Sequence, residues 1–352
     1  MMNLHAMRND SGSWEVNVAE VLCNPDVLIL DTRSPTEFAQ GHMPRAHNLP
    51  LFDNDERATI GTLYKKSGKE HAIDQGLAFI GPKLLSYVQS ARELVAAQEL
   101  SNPQVVVHCW RGGMRSESVT WLLRLAGISA RKMENGYKGY RRHMRQWMTQ
   151  PLPLQVLAGS TGSGKTPVLR ALADMGMQVL DLERLAGHLG SAFGNLSETP
   201  QPSSEQFSND CFDVLLGFDL KRPIWLEDES RRIGNVHLPE SLYQQIKQAE
   251  VHLLHRSWGE RLEEVLRVYG DEDMEPLKAA FRRIAKKLGG QNVQRACESL
   301  EEGNLQQAAE LALLHYDKQY AHTMQRHNRL IASHVQGEGK DFFEIAQALR
   351  DL

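Results

Sequence analysis

Cysteine is scarce in this chain, four among 352 residues, and no two of the four share a C-x-x-C spacing. Cys23, Cys109, Cys211 and Cys297 therefore suggest neither a disulfide framework nor a zinc site, and a reducing, cytosolic setting with at most one working thiol is expected. Long apolar runs are missing as well. The opening stretch MMNLHAMRNDSGSW holds no signal-peptide core, and nothing later reaches the roughly 20 residues that span a bilayer. No membrane association is expected, and a cytoplasmic location follows. Neither charge is in large surplus: 40 Lys and Arg stand against 44 Asp and Glu, a net charge of −4. That excludes a protein basic over its whole surface, although nucleic acid needs only one basic face. Internal repeats and low-complexity tracts are absent too, which removes solenoids and compositionally disordered chains.

What is there is enough chain for two cores. Short apolar runs alternate with helical spacing in two successive segments, the pattern of α/β layering around a parallel sheet. In the first, VLILDT (27–32) and QVVVHC (104–109) read as buried parallel strands. Residues 83–99 and 117–126 read as helices, ISARKM as a strand and GYKGYRRHMRQWM as a helix with its entry turn. Pro151 and Pro153 then interrupt regular structure, placing a boundary between a domain over 1–150 and one over 151–352. LQVLAG (154–159), QVLDL (178–182) and PIWLED (223–228) supply strands to the second domain. From Pro239 onward the pattern is mostly helical, with runs at 242–251, 258–268, 276–288 and 305–319. Residues 195–209, rich in Ser, Pro and Gln, read as a loop able to order over a ligand.

GSTGSGKT (159–166) fits G-x-x-x-x-G-K-[ST], with an apolar strand before it and a helical pattern after it. Gly159, Gly162, Ser163 and Gly164 let the backbone turn its N–H groups toward one anion, and the following helix N-terminus adds partial positive charge. Lys165 brings a point charge for terminal phosphates and Thr166 a hydroxyl suited to Mg²⁺. Glu227 and Asp228, at the end of an apolar strand, are candidates for the carboxylate completing a metal site. Asp181 and Glu183 fit either substrate or metal contact or helix capping. Arg231 and Arg232 fit bidentate phosphate binding or a local ion pair with Glu227 or Glu229. The cradle suits a nucleoside triphosphate or any other diphosphate-bearing ligand. No tightly bound prosthetic group and no metal held by protein ligands alone are expected.

Cys109 ends its strand and is followed by WRGGMRS and a helix. A thiol there is set where α/β folds place their ligands. Loop N–H groups, the helix N-terminus, Arg111 and Arg115 would stabilise its thiolate and any anion or chalcogen it handles. Cys23, Cys211 and Cys297 lack such surroundings and read as packing residues.

These residues resemble a known family. LDTRSPTEFAQGHMPRAHNLP (30–50) is similar to the rhodanese signature D-x-R-x-x-x-E-[FY]-x-x-G-H-[IM]-x-x-A-x-[NH], with Asp31, Arg33, Glu37, Gly41, His42 and Ala46 on matching positions. CWRGGMRS resembles the rhodanese active loop, and ENGYKGYRR a segment near that domain's end. Rhodanese joined to a P-loop domain resembles the tRNA 2-selenouridine synthase family, as do GTLYKKSG (61–68), LDLERLAGHLGSAFG (180–194), QPSSEQF (201–207) and EDESRRIG (227–234). The likeness covers nearly the whole chain. It departs at LAGHLGSAFG, where an arginine is expected near Leu189.

The resemblance implies a rhodanese-like domain with a central parallel sheet, then a P-loop NTPase-like domain whose C-terminal part is helical. It implies transfer of selenium from selenophosphate to 2-thiouridine at the wobble position of tRNA, through an S-geranyl intermediate made from geranyl diphosphate. It leaves room for delivery of selenophosphate by its synthase.

A basic stretch offers an RNA contact: Arg131, Lys132, Lys138, Arg141, Arg142 and Arg145 stand against one acid, Glu134, interleaved with Tyr137, Tyr140 and Trp147. Phosphate contact with base stacking fits it. So does a solvated domain-closing helix with its aromatics in the core. Arg282, Arg283, Lys286 and Lys287 read as a solvated helix face, and His252 and His255, on one helix face, lack a third metal ligand. Two other functions fit the two sites: a rhodanese sulfurtransferase fused to an ATP-dependent small-molecule kinase, and a non-catalytic anion- or redox-sensing module.

Overall fold

The structure, a computed structural model, describes residues 14–98, 104–188, 200–270, 272–327 and 329–352. The chain divides into two compact units, residues 1–147 and 148–352.

The first unit runs β1 (Glu15–Val16), α1 (Val18–Cys23), β2 (Val27–Asp31), α2 (Pro35–Gln40), β3 (Ala46–Asn48), α3 (Asn54–Lys66), α4 (Lys69–Ile80), α5 (Leu84–Ala96), β4 (Gln104–His108), α6 (Met114–Leu125), β5 (Ala130–Met133) and α7 (Gly136–Trp147). Its described strands form a parallel sheet in the order β1-β5-β4-β2-β3. The apolar runs in β2 and β4 are buried on both faces, as parallel strands with helices on either side must be. Leu28, Leu30, Val105 and Val107 pack with Tyr87, Ala91, Val119 and Leu123 from α5 and α6. Ile29 and Val106, at the alternate positions, are buried as well.

The second unit runs β6 (Leu154–Ala158), α8 (Lys165–Asp174), β7 (Gln178–Val179), α9 (Leu182–Ala186), α10 (Ser204–Leu216), β8 (Ile224–Glu227), β9 (Arg232–Ile233), β10 (Val236–His237), α11 (Glu240–Gln248), β11 (Glu250–His255), α12 (Trp258–Tyr269), α13 (Met274–Arg283), α14 (Ala285–Leu288), α15 (Gly290–Glu301), α16 (Leu305–His327), β12 (Ile331–Gln336) and α17 (Phe342–Arg350). A parallel sheet, β12-β11-β6-β8-β7, carries the phosphate loop at the end of its central strand, and β9 and β10 form a separate antiparallel hairpin. Helices α13, α15 and α16 close a core of their own around Leu277, Phe281, Val293, Ala296, Leu300 and Ala312. Both units are α/β with parallel sheets, and the second ends in the expected helical part. Among the described residues no helix is long and apolar enough to cross a membrane.

Three local readings are corrected. His252 and His255 lie on strand β11, not on a helix, and a strand sends positions three apart to opposite faces. His252 is held by Ser333 Oγ at 2.8 Å and Gln155 Oε1 at 2.6 Å, whereas His255 meets His334 at 2.8 Å. The helical spacing around Leu242 and Ile246 hid the change of element at Ala249. Residues 204–209 belong to helix α10, because Ser203 caps it, accepting from Gln206 N, and Phe207, Cys211 and Phe212 are buried. Residues 195–199 lie outside the described part of the structure. Finally, the run at 276–288 is two helices, α13 and α14.

Candidate functional site

Cys109 follows β4 directly, at the C-terminal edge of the first sheet. Its loop is pinned from one side by the start of α7: the Tyr137 and Lys138 N–H groups donate to the carbonyls of Cys109 and Trp110, both at 2.9 Å. That clamp leaves no room for a side chain at Gly136, where a Cβ would lie 2.2 Å from the Cys109 carbonyl oxygen. Gly136 also has φ +54°, a left-handed conformation suited to glycine. The thiol is buried and lies 3.3 Å from the Ser116 hydroxyl. Burial alone would push it up. The Ser116 hydroxyl, the Ser116 and Arg111 N–H groups and the Arg115 charge outweigh that, so the thiol sits below its ordinary range.

Beneath this loop lies a buried ion pair, Arg33 to Asp31 at 2.6 Å. Arg33 also donates to the Gly41 carbonyl at 2.7 Å and stacks over the Tyr137 ring at 3.9 Å. The D-x-R part of the signature therefore acts as an internal brace. Glu37, from the same signature, reaches the active loop itself and accepts two hydrogen bonds from Arg115. In front of Cys109 opens a cavity of about 740 Å³, lined by Arg111 and Arg115 and, from α3, by Arg57, Tyr64 and Lys65.

In the second unit, Gly162 and Gly164 both have φ +80°. These left-handed residues fold the loop into a concave row of N–H groups. Lys165 Nζ donates to the Gly159 carbonyl at 2.9 Å, and the Thr166 hydroxyl donates to Glu183 Oε2 at 2.9 Å. The Ser163 hydroxyl is buried without a protein partner. A cavity of about 580 Å³ opens over the loop, lined among others by Lys165, Thr166, Arg170, Glu183, Glu229 and Arg267.

The carboxylates divide between roles. Glu183 faces Thr166, whereas Asp181 caps α9 by accepting from Arg184 N at 2.8 Å. Asp228 lines the cavity but is paired with Arg329 at 2.8 Å. Glu227 is fully buried and accepts from Leu182 N at 3.2 Å, and its other oxygen has no partner. Burial and the nearby Asp181 and Glu183 charges push it up to about 8. Burial also raises Glu183, and Glu229 is raised by burial and by the charges of Glu183 and Glu227.

A family model for the tRNA 2-selenouridine synthase AAA domain matches residues 152–350, and a model for the rhodanese-like domain matches residues 17–143. The tRNA 2-selenouridine synthase of Nitrosomonas europaea is 30% identical over 92% of this chain and 95% of its own length. That of Alcanivorax borkumensis is 36% identical over 80% of this chain and 82% of its own. The chain belongs to the tRNA 2-selenouridine synthase family.

Within this tRNA 2-selenouridine synthase family member, the remaining candidates scatter. Arg231 and Arg232 do not line the phosphate cavity. Arg231 pairs with Glu240 at 2.8 Å, and Arg232 bonds the Gly234 carbonyl and Asn235 within its own hairpin. Besides Lys165, the cations that do line it, Arg170 and Arg267, come from helices α8 and α12 and carry no motif. The basic stretch splits too. Arg131 and Lys132 sit on β5 in ion pairs with Glu20 and Glu15, Tyr137 and Tyr140 are fully buried, and Lys138, Arg142 and Arg145 are exposed along α7. Arg141 is half-buried. The two tyrosines serve the core, and only the exposed cations are free to meet a phosphate backbone. Arg282, Arg283, Lys286 and Lys287 are all exposed. Leu189 lies outside the described residues.

Sequence reasoning missed the α3 side chains that face Cys109. Tyr64 and Lys65 fall within GTLYKKSG, noted for family likeness without a role, whereas Arg57 carried no signal.

Proposed function

We propose that this chain converts 2-thiouridine at the wobble position of tRNA to 2-selenouridine with selenophosphate, by way of an S-geranyl intermediate made from geranyl diphosphate. The observation that carries the reading is the pairing, in one chain of this family, of a buried thiol 3.3 Å from the Ser116 hydroxyl, in a cavity lined by Arg111 and Arg115, with a phosphate loop. The alternative of a sulfurtransferase fused to a small-molecule kinase explains each site separately but not their union in this family.

In the first step the nucleobase sulfur attacks C1 of the geranyl group, a C–S bond forms, the C–O bond to diphosphate breaks, and the base gives up its N3 proton to solvent. The N–H groups of residues 162–166 and Lys165 receive the charge that builds on the departing diphosphate. Mg²⁺ suits the donors beside it, Thr166 and Glu183, which are hard oxygen ligands, and when bound it would neutralise further phosphate charge. Among the described residues no three His, Cys, Asp or Glu side chains converge tightly enough to hold a metal alone, so phosphate oxygens would complete its shell. In the second step the selenium of selenophosphate adds at C2, the C2–S bond breaks and geranylthiolate leaves, and water then cleaves the P–Se bond, releasing phosphate and the selenouridine. Arg111, Arg115 and the loop N–H groups bind the anionic selenium donor next to Cys109, delivered freely or by its synthase. Lys138, Arg142 and Arg145 contribute phosphate contacts to the RNA.

Nucleoside mass spectrometry tests the proposal on 2-thiouridine tRNA incubated with the protein, geranyl diphosphate and selenophosphate. Cys109→Ser is expected to accumulate the S-geranyl nucleoside without selenouridine, and Lys165→Ala to lose both. Unchanged selenouridine in Cys109→Ser would remove the thiol from the reaction.

A further inference from the structure

Beside the phosphate cavity lies a second cavity, of about 40 Å³, between α12, α13, α15 and α16. Its walls are hydrocarbon almost throughout: Leu266, Leu277, Phe281, Leu300, Ala312 and Leu313 are typical. Hydroxyl groups enter through three residues, Thr161, Tyr269 and Tyr316. All three, together with Val265, also line the phosphate cavity. The polar end of the apolar slot is thus the end at the phosphate loop. A ligand spanning both spaces would have an anionic head and a hydrocarbon tail.

The slot's position is fixed by the loop itself. Arg261 of α12 donates from Nε to the Thr161 carbonyl at 2.9 Å and forms a two-pronged ion pair with Asp317 of α16, at 2.6 and 3.1 Å. A Cβ on Gly162 would come within 2.5 Å of the Arg261 carbonyl oxygen, so the phosphate loop and α12 are in direct backbone contact. The slot also runs along a seam between two separate core clusters. Leu262, Ala309 and Leu313 form one, with Val265 and Leu266 against it, and Leu277, Phe281, Leu300, Ala308 and Ala312 belong to the other. A ten-carbon tail needs more room than the cavity now offers. A seam between clusters is where helices part at least cost, because no single interdigitated core has to be broken.

We propose that this slot is the tail site for the isoprenoid diphosphate whose head sits on the phosphate loop, and that its depth sets the accepted chain length. The inference rests on the reading of the loop as a prenyl diphosphate site. The small side chains of Ala308, Ala309 and Ala312 on α16 leave the space, and Leu266 and Phe281 bound it. An amphiphile gains from burying its tail while the loop holds its head, which a nucleotide has no means to exploit.

The test measures binding of inorganic pyrophosphate and of dimethylallyl, geranyl and farnesyl diphosphates to the full chain by calorimetry. In the wild type, geranyl diphosphate is expected to bind at least tenfold tighter than pyrophosphate, because even two buried methylenes supply that much. Ala312→Leu fills the slot and is expected to erase most of that gain, with pyrophosphate affinity kept within about twofold. Leu266→Ala deepens the slot and is expected to shift preference from geranyl toward farnesyl diphosphate, a gain that misfolding does not produce. If geranyl diphosphate binds tighter than pyrophosphate but both variants keep wild-type chain-length selectivity, the tail lies elsewhere and this proposal falls alone. If no tail improves on pyrophosphate in the wild type, the reading of the loop as a prenyl diphosphate site falls, and the slot's role with it.

Discussion

Arg115, in the first turn of α6 just after the thiol loop, makes a two-pronged ion pair with Glu37 from the α2 signature, at 2.7 and 3.2 Å. The arginine is thereby held in place before any substrate arrives, and its charge acts on Cys109 from a fixed position. Two elements far apart in sequence build one thiol site.

The first prediction concerns which group sets the thiol's reactivity. The Ser116 hydroxyl outranks the Arg115 charge among the influences that lower Cys109. Ser116→Ala should therefore move the midpoint of the alkylation-rate profile to higher pH by more than Arg115→Gln does. Iodoacetamide rates measured from pH 5 to about 10 report this directly, because only the thiolate reacts. A larger shift in Arg115→Gln would reverse the ranking.

A second prediction uses Glu227. Its folded value, about 8, lies above the 4.5 of an ordinary glutamate. The sign follows: the stability it carries is complete below 4.5, where both states are protonated, and is lost as pH rises toward 8, where the unfolded carboxyl has long since ionised. Wild-type stability of the second unit should fall across that window. Glu227→Gln should flatten the profile and gain on the order of 3 kcal/mol at pH 8. Denaturant melts at several pH values would show it, and parallel profiles for the two proteins would contradict it.

The third concerns the brace under the thiol loop. Asp31→Asn leaves the Arg33 guanidinium buried without its counter-charge, at a cost of about 3 kcal/mol or more. Chemical denaturation should show the first unit destabilised, with Cys109 becoming alkylated as readily as an unfolded thiol. If Asp31→Asn keeps wild-type stability yet loses selenium transfer, the pair serves chemistry instead.

A fourth prediction tests the phosphate loop's backing. Gly164 has φ +80°, and a Cβ there would lie 2.2 Å from the Phe342 ring. Gly164→Ala should abolish pyrophosphate binding and cost roughly 2 kcal/mol of stability. Phe342→Ala in the same chain should relieve the clash but leave the backbone strain, recovering part of the stability. Full recovery would mean that the conformation itself is not strained.

Both α/β units and the two loops were legible because each rests on local pattern: an apolar strand, a glycine turn and a helix start that neighbour one another in sequence. Partners drawn from distant elements were not. Arg231 and Arg232 follow the acidic strand end directly, yet the hairpin of β9 and β10 turns them toward Glu240 and Gly234. Glu183 and Asp181 looked alike in sequence, and helix α9 separates them by assigning one to the cap and the other to Thr166. Tyr137 and Tyr140 sit in a basic stretch that suggests RNA, but helical spacing points both into the core. The apolar slot was beyond reach, since it arises from where four helices meet.

The order of strands in the second sheet has a consequence for biosynthesis. The central strand β6 depends on β11, and β11 on β12, which comes from residues 331–336. On a ribosome, the glycine loop therefore emerges long before the last strand of its sheet, while the rhodanese-like unit is already whole. A stalled or truncated nascent chain would therefore carry a complete first unit and an unfinished phosphate loop.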